Sequence, residues 1–142
     1  MALLEQSLFV RKSGIPNAGK GLFTRIEIKR GTRIVEYKGR KVLWVNIKHT
    51  DGYNTYLMRV NRTHAIDAKP TLKALGRYAN DAKGPSKIKQ RTNNALYVQE
   101  GNRVFIEASK NIPAGSEILV GYGKDFWQLQ RQLLRQKRNS GN

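Results

Sequence analysis

Short runs in which apolar and polar residues alternate follow one another along most of the chain, and this pattern predicts a β-rich fold. Eight such runs are rich in β-branched or aromatic residues and are separated by glycine or polar turns. They span residues 8–10, 21–24, 33–37, 42–45, 55–60, 64–67, 95–98 and 103–107. The clearest turns between them are Asp51-Gly52, Glu100-Gly101-Asn102 and Pro113-Ala114-Gly115. We therefore expect short strands joined by tight turns.

Two segments have a helical pattern instead. The first would run from about residue 69 to 75, with Pro70 tolerated because it lies in the first turn. The second begins near Asp125 and places apolar residues close to a 3.6-residue period. Those residues are Phe126, Leu129, Leu133 and Leu134. Beyond them, residues 128–142 are rich in Gln and Arg and are expected to form a basic C-terminal helix and tail with a disordered end.

One pattern occurs twice in the chain. Residues 28–34 and residues 112–118 both have the form Ile-x-x-Gly-Thr/Ser-x-Ile, and each leads into a strand that ends in Tyr. Two copies are too few for a solenoid. The repetition predicts the same turn used twice.

Length and composition indicate one intracellular domain. A chain of 142 residues can bury one hydrophobic core. The absence of Cys excludes disulfides and thiolate metal sites and favours a reducing compartment, and the isolated His49 and His64 suggest no metal site. No apolar run approaches the roughly 20 residues that span a bilayer, and residues 1–6 lack the apolar segment of a secretory signal. We expect no contact with membranes.

The charge is the most unusual feature of the composition. Lys and Arg number 27 against 10 acidic residues, which gives a net charge of +17. Such a surface attracts nucleic acids and other polyanions at long range, although a charged surface can also serve solubility alone. Residues 83–91 and the tail carry cations without interspersed acids. These segments predict non-specific contact with nucleic acid.

Residues 14–21 nearly form a phosphate-binding P-loop. That motif requires Ser or Thr after its Lys and a helix beyond it. Gly21 follows Lys20 here, and the next residues alternate like a strand. The segment therefore reads as a glycine turn. No Gly-x-Ser-x-Gly elbow of a serine hydrolase is present either.

Three separated segments together resemble the signature of the SET domain, the protein-lysine methyltransferase fold. They are Gly-Lys-Gly-Leu-Phe at 19–23, Gly-Arg-Tyr-Ala-Asn-Asp at 76–81 and Glu-Ile-Leu-Val-Gly-Tyr-Gly at 117–123. The resemblance runs from Leu8 to Trp127, so it implies a SET domain over residues 1–127. It implies a mostly β fold of small curved sheets with few short helices. Residues 76–81 and the strand before Tyr122 would pass one another in a knot-like crossing.

The resemblance also implies S-adenosylmethionine as cofactor. The glycine turn would bring backbone atoms against it, Asn80 would contact its amino-acid end, and Trp127 would cover its adenine, as in short, zinc-free bacterial or viral SET proteins. Asp81 departs from the family's His, whose contacts with adenine run largely through backbone atoms. Asn80-Asp81 could also be an ordinary turn pair. The full implied set is Gly19, Lys20, Gly21, Leu22, Tyr56, Asn80, Asp81, Tyr122 and Trp127.

Two tyrosines carry the catalytic expectation. By resemblance, Tyr122 and Tyr37 line a lysine channel, where an aromatic lining favours a neutral amine and suits positively charged methyl groups. Either residue could instead be a half-buried strand tyrosine. The implied substrate is a lysine of a histone-like or other nucleic-acid-associated protein, in the cytoplasm of a bacterium or the nucleus of a eukaryote. A basic nucleic-acid or chromatin-binding module with the same fold, or a small oligonucleotide-binding barrel, remain the alternatives.

Overall fold

Nine short strands dominate the structure, a computed structural model that describes residues 3–50, 53–82 and 92–121. The strands are β1 Leu8–Lys12, β2 Lys20–Thr24, β3 Arg33–Glu36, β4 Arg40–Leu43, β5 Leu57–Arg59, β6 His64–Asp67, β7 Ala95–Glu100, β8 Arg103–Ala108 and β9 Glu117–Ile118. One short helix, α1, spans Trp44–Ile47, and single 3₁₀ turns cover Glu5–Ser7, Lys48–Thr50 and Leu75–Tyr78. Each of the eight predicted runs contributes a strand, and the mostly β fold is confirmed.

Two predicted elements are wrong in part. The run at 42–45 does not continue as a strand, because the Trp44 amide makes the last bond of that ladder, to the Thr63 carbonyl, and α1 begins there. Val45 is 65% exposed, so burial does not favour a longer strand. The helix predicted over 69–75 is a series of turns, in which Thr71 and Ala74 donate to carbonyls only three residues back. The 3₁₀ turn at Leu75–Tyr78 follows it.

The strands form three small antiparallel sheets of three strands each, ordered β1-β2-β9, β3-β8-β7 and β4-β6-β5. Alternation along each strand turns apolar side chains toward a shared core. The main core cluster joins the first two sheets, and its fully buried members include Leu22, Ile34, Ile106, Ile118 and Val120. A second cluster lies under β6 and the end of β3.

The repeated Ile-x-x-Gly pattern does form the same turn twice. Gly31 has a φ of 86° and Gly115 a φ of 84°, a left-handed conformation that glycine adopts without steric cost. The first isoleucines of the two copies pair with each other. Ile28 donates to the Ile112 carbonyl at 2.8 Å, and Ile112 donates to the Ile28 carbonyl at 2.7 Å.

The predicted crossing is visible at the end of the described chain. Asn80 pairs in parallel with Leu119, and Ala95 pairs in parallel with Val120. The Val120 amide donates to the Asn80 carbonyl at 2.8 Å, and the Ala95 amide donates to the Leu119 carbonyl at 3.0 Å. Residues 119–120 therefore pass between the 76–81 segment and the start of β7.

Several sequence predictions fall outside the described residues. They concern the basic segment at 83–91, the helix near Asp125, the domain boundary at 127 and the tail at 128–142. Within the part of the chain that the structure describes, no helix is long and apolar enough to cross a membrane. The same residues bring together no group of three or more His, Asp or Glu that could hold a metal ion.

Candidate active site

The glycine turn between β1 and β2 is held against a buried carboxylate. Gly19 has a φ of 70°, and its carbonyl accepts the Ser13 amide at 2.8 Å. Gly21 leaves no room for a side chain, because a Cβ there would lie 2.3 Å from Glu117 Oε2. The absence of a Cβ thus lets the carboxylate lie directly on β2.

Glu117 connects this turn to the second motif. Its side chain accepts the Ser13 hydroxyl at 2.6 Å and the Gly14 amide at 3.0 Å, and the residue is only 5% exposed. Its Oε2 also lies 3.5 Å from Asn80 Nδ2. Sequence reasoning treated this residue only as the first member of the third motif. Only the structure shows that Glu117, in the third motif, contacts Gly21 of the first motif and Asn80 of the second.

Asn80, in the second motif, contacts both the glycine turn and Glu117. Its Nδ2 donates to the Lys20 carbonyl at 2.9 Å, whereas no described residue donates to its Oδ1. Gly19 and Lys20 are exposed residues, although their carbonyls already accept the Ser13 amide and Asn80 Nδ2. The side chain of Leu22, another member of the predicted set, is fully buried in the core. Only its backbone could contribute to a ligand site.

Asp81, where the resemblance has a His, is part of a buried polar loop. The residue is 6% exposed, and its Oδ1 accepts Asn93 Nδ2 at 2.8 Å. Asn93 in turn accepts the Ala82 amide through its Oδ1 at 2.8 Å. The carboxylate therefore stabilises the chain around the crossing.

Tyr37 is buried in an aromatic cluster. It is 4% exposed, its hydroxyl donates to the Tyr56 carbonyl at 2.7 Å, and the Tyr97 ring meets it edge-on at 5.9 Å between centroids. Burial raises the pKa of Tyr37 well above its ordinary value, since the phenolate would be poorly solvated there. The hydroxyl is thus a protonated, fixed group at neutral pH.

Arg77 joins the aromatic cluster to the second motif. Its guanidinium lies 4.1 Å from the centroid of the Tyr56 ring, and it donates to the Lys69 carbonyl at 2.9 Å. The neighbouring Gly76 packs on β3, because a Cβ there would lie 3.0 Å from the Glu36 carbonyl and 3.2 Å from Tyr37 Cα. One short segment therefore touches Tyr37 at one end and Lys20 at the other.

Sequence reasoning missed Arg77 and Tyr97 as site residues. Arg77 belongs to the 76–81 motif, in which the resemblance assigns a role to Asn80. The spacing of residues in the sequence does not predict that a guanidinium will stack on a tyrosine ring. Tyr97 occupies a core-facing position of a predicted strand, which was the available signal. The structure brings Gly19, Lys20 and Gly21 together with Asn80, and Tyr37 together with Tyr56. The predicted Tyr122 and Trp127 lie outside the described residues.

Comparison with known proteins identifies the family. The family model described as "SET domain" matches residues 19–123. The chain is 29% identical over 119 residues to the variant-silencing SET domain-containing protein of Plasmodium falciparum, covering 76% of this chain and 4% of that protein. It is 25% identical over 152 residues to histone-lysine N-methyltransferase EZH2 of Chaetomium thermophilum, covering 96% of this chain and 9% of that protein. The chain thus spans less than a tenth of either relative.

Two further similarities agree. Histone-lysine N-methyltransferase set-17 of Caenorhabditis elegans is 26% identical over 118 residues, which cover 82% of this chain and 41% of that protein. Among solved structures, ctPRC2 in an autoinhibited conformation bound to S-adenosylmethionine matches with a TM-score of 0.68 and 23% identity, over 96% of this chain and 17% of that one. Since the family model covers well over half of the sequence, this chain belongs to the SET domain family of protein-lysine methyltransferases.

Proposed function

We propose that this protein is an S-adenosylmethionine-dependent protein-lysine N-methyltransferase of the short, zinc-free bacterial or viral type. Its substrate would be a histone-like or other nucleic-acid-associated protein. Family membership supports the reaction class. The observation that carries the proposal for this chain is the double contact of the 76–81 segment, through Gly76 with Tyr37 and through Asn80 with Lys20. A cofactor group and a channel group are thereby held by one rigid turn.

The cofactor groups fit the amino-acid end of S-adenosylmethionine. Bound there, the cofactor would supply an electrophilic methyl group on a sulfonium. Asn80 Oδ1, which has no donor among the described residues, suits an ammonium group. Gly19 and Lys20 are exposed residues next to Asn80, and Gly21 lets the turn stay close to Glu117. In this proposal Asp81 contributes through its backbone, and Tyr56 through the ring that Arg77 stacks on.

The channel groups act on the substrate amine. Methyl transfer is an in-line displacement, so the main task of the protein is alignment of a neutral amine with the S–CH₃ bond. A lysine has an ordinary pKa of about 10.4, and a dry aromatic channel lowers it. Tyr37 forms one wall with its protonated hydroxyl fixed on the Tyr56 carbonyl. Tyr122 would orient the amine from the opposite wall, and Tyr97 would close the side.

The proposed domain limits are those that the sequence resemblance implies. Residues 1–127 would form the catalytic domain, and Trp127 would pack over the adenine in place of a cysteine-zinc cluster, since the chain has no Cys. Residues 128–142 would be a basic helix and tail. With residues 83–91 they would contact nucleic acid without sequence preference, which would keep the enzyme near basic proteins bound to the same strand.

A second candidate is a basic chromatin-binding module that has the SET fold but little or no catalysis. Asp81 favours it, because the carboxylate is buried in the bond to Asn93 where the family has a His. The joint presence of Tyr37, Tyr56, Asn80 and Tyr122 favours the enzyme, since a binding module has no need of all four. A titration with the cofactor separates the two.

The experiment is calorimetric titration with S-adenosylmethionine, followed by transfer of labelled methyl groups to a histone mixture. Asn80→Ala should weaken cofactor binding by about 1–3 kcal/mol, roughly 5- to 150-fold in Kd, because a polar group loses its partner. Asn46→Ala, on the exposed face of α1, is the matched control and should bind like the wild type. If the wild-type protein does not bind the cofactor, the proposal of an enzyme is wrong and the binding module is the remaining candidate.

Catalysis is tested separately from binding. Tyr122→Phe should lower transfer by at least about tenfold while the cofactor Kd and Tm stay unchanged, because it removes one orienting hydroxyl and no packing volume. Tyr53→Phe, which alters a tyrosine that is 72% exposed, serves as control. Equal turnover of Tyr122→Phe and the wild type would exclude Tyr122 from the mechanism.

A further inference from the structure

A cleft of about 470 Å³ lies beside β9 and adjoins the candidate site through Glu117, which is part of its lining. None of Gly19, Lys20, Tyr37, Tyr56 or Asn80 lines it. Its apolar surface comes from Phe23 and Leu119, and the polar lining includes Arg11, Lys110, Asn111 and Ser116. The volume is sufficient for a phosphate with its attached sugar.

Two cations border the cleft, and neither forms an ion pair with any residue that the structure describes. The Arg11 guanidinium lies 4.1 Å from the centroid of the Phe23 ring, which holds the side chain over the cleft. Lys110 donates to the Thr92 hydroxyl at 3.2 Å, which positions its ammonium group. Each cation therefore has a neutral partner that orients it and, among the described residues, no carboxylate that pairs with it.

The neutral groups of the cleft are mainly donors. Asn111 uses its Oδ1 to accept the Arg30 amide at 2.8 Å, so its NH₂ group remains for a ligand. The Ser116 hydroxyl has no partner among the described residues. The carboxylate that lines the cleft, Glu117, is 5% exposed and accepts hydrogen bonds from the β1–β2 turn. The cleft thus presents positive charge and N–H or O–H groups, which suits an oxyanion.

The uncompensated charge of the cleft contrasts with the outer face of the β3-β8-β7 sheet. There Arg33 pairs with Glu100 at 2.6 Å and approaches Glu107 at 3.9 Å, and Arg103 pairs with Glu36 at 2.8 Å. Three of the chain's ten acidic residues neutralise that face. Few acids remain to compensate the cations elsewhere, so the +17 charge is unevenly distributed.

We propose that this cleft binds the phosphate backbone of a nucleic-acid strand, with Arg11 and Lys110 each contacting one phosphate, beside the groups proposed for cofactor and substrate. Arg11 offers a planar guanidinium and Lys110 a point charge, which are the two usual protein partners of phosphate. Phe23 and Leu119 provide apolar contact for the sugar. A chain of net charge +17 gains more from a polyanion than from a single phosphate, because each neutralised phosphate releases counterions. The inference does not depend on methyl transfer.

The test compares two double variants that lose the same charge. Binding of a labelled 20-nucleotide strand is followed by anisotropy between about 50 and 200 mM salt, the range in which phosphate contacts are most visible. Arg11→Gln/Lys110→Gln should reduce the slope of log K against log salt by about 2, one for each lost contact. Lys48→Gln/Arg62→Gln removes two exposed cations outside the cleft and should change the slope by less than about 0.5.

The two double variants distinguish a phosphate site in the cleft from long-range attraction by the overall positive charge. Equal changes of the salt slope in both double variants would show that charge acts only at long range, and would contradict the proposed phosphate site in the cleft. Competition by adenosine monophosphate as strong as that by the strand would assign the cleft to a free phosphate monoester and overturn the nucleic-acid partner. If Arg11→Gln unfolds the protein through the lost contact with Phe23, Lys110→Gln alone must still reduce the slope by about 1.

Discussion

Gly21→Ala adds one methyl group where the structure has no space for it. The new Cβ would lie 2.3 Å from Glu117 Oε2, 3.1 Å from its Cδ and 3.2 Å from Ser13 Cβ. The carboxylate is not a free end that can rotate away, because Ser13 and Gly14 donate to it at 2.6 and 3.0 Å. Either both bonds break, or β2 moves away from β9.

The expected cost follows from those two alternatives. An extra methyl in a filled core costs about 1–3 kcal/mol, and a lost hydrogen bond to a charged group costs about 1.5–3 kcal/mol. The lower entropy of an unfolded chain with Ala in place of Gly offsets about 0.4–1 kcal/mol. We expect Gly21→Ala to lower the free energy of unfolding by about 2–4 kcal/mol, against a typical total of about 5–15 kcal/mol.

Urea unfolding of a double-mutant cycle is the assay. Glu117→Ala vacates the space, so Gly21→Ala in that background should cost about 1 kcal/mol or less, which gives a coupling of at least about 1 kcal/mol. Gly121→Ala is the matched control, because its Cβ would only touch Asn93 Nδ2 at 3.5 Å. Equal costs of Gly21→Ala in the two backgrounds would refute the steric reasoning.

Two further predictions concern single aromatic residues. Because burial raises the pKa of Tyr37, the stability that its protonated form contributes should be full below about pH 10 and fall as the pH rises further, and Tyr37→Phe should remove the last tyrosine step in an absorbance titration. A variant that titrates like the wild type would contradict this. Trp127→Ala should weaken S-adenosylmethionine binding with little change in Tm, whereas Trp44→Ala, which removes the ring under the Arg59 guanidinium, should change Tm and spare binding. If Trp127→Ala lowers Tm and leaves S-adenosylmethionine binding unchanged, Trp127 has a structural role only.

The strands were predictable because burial on one face imposes an alternation that the sequence shows directly. β8 shows it, since Val104, Ile106 and Ala108 face the core and Arg103 and Glu107 face outward, while Phe105 between them is buried under the Arg33 and Arg103 guanidinium groups. The end of β4 was not predictable in this way. Trp44 and Val45 have strand-forming side chains, but the hydrogen-bonding partner ends at Thr63, and only the tertiary structure determines that.

The sequence motifs predicted which residues belong to the candidate site, but not which residues contact one another there. The resemblance named Gly21, Asn80 and Tyr37 as site residues, and the structure gives each of them defined protein neighbours, whereas their contacts with cofactor or substrate stay a prediction. It gave no partner for Glu117, because Ser13 lies 104 positions away and no local pattern links the two residues. The same holds for the stacking of Arg77 on Tyr56. Contacts between distant segments depend on topology, which alternation and spacing do not contain.

Residues 119–120 lie between Asn80 and Ala95, and we expect this part of the fold to assemble late, because the bridge to Asn80 joins segments far apart in sequence. The hairpins β1–β2 and β7–β8 close between near neighbours in sequence, whereas the bridges to Leu119 and Val120 require the chain to pass through a gap already bordered by other segments. We expect unfolding to require withdrawal of the same segment and therefore to be slow, which the unfolding rate after a jump into urea would measure. The working lifetime of the protein at elevated temperature is then governed by the rate of that withdrawal rather than by its equilibrium stability.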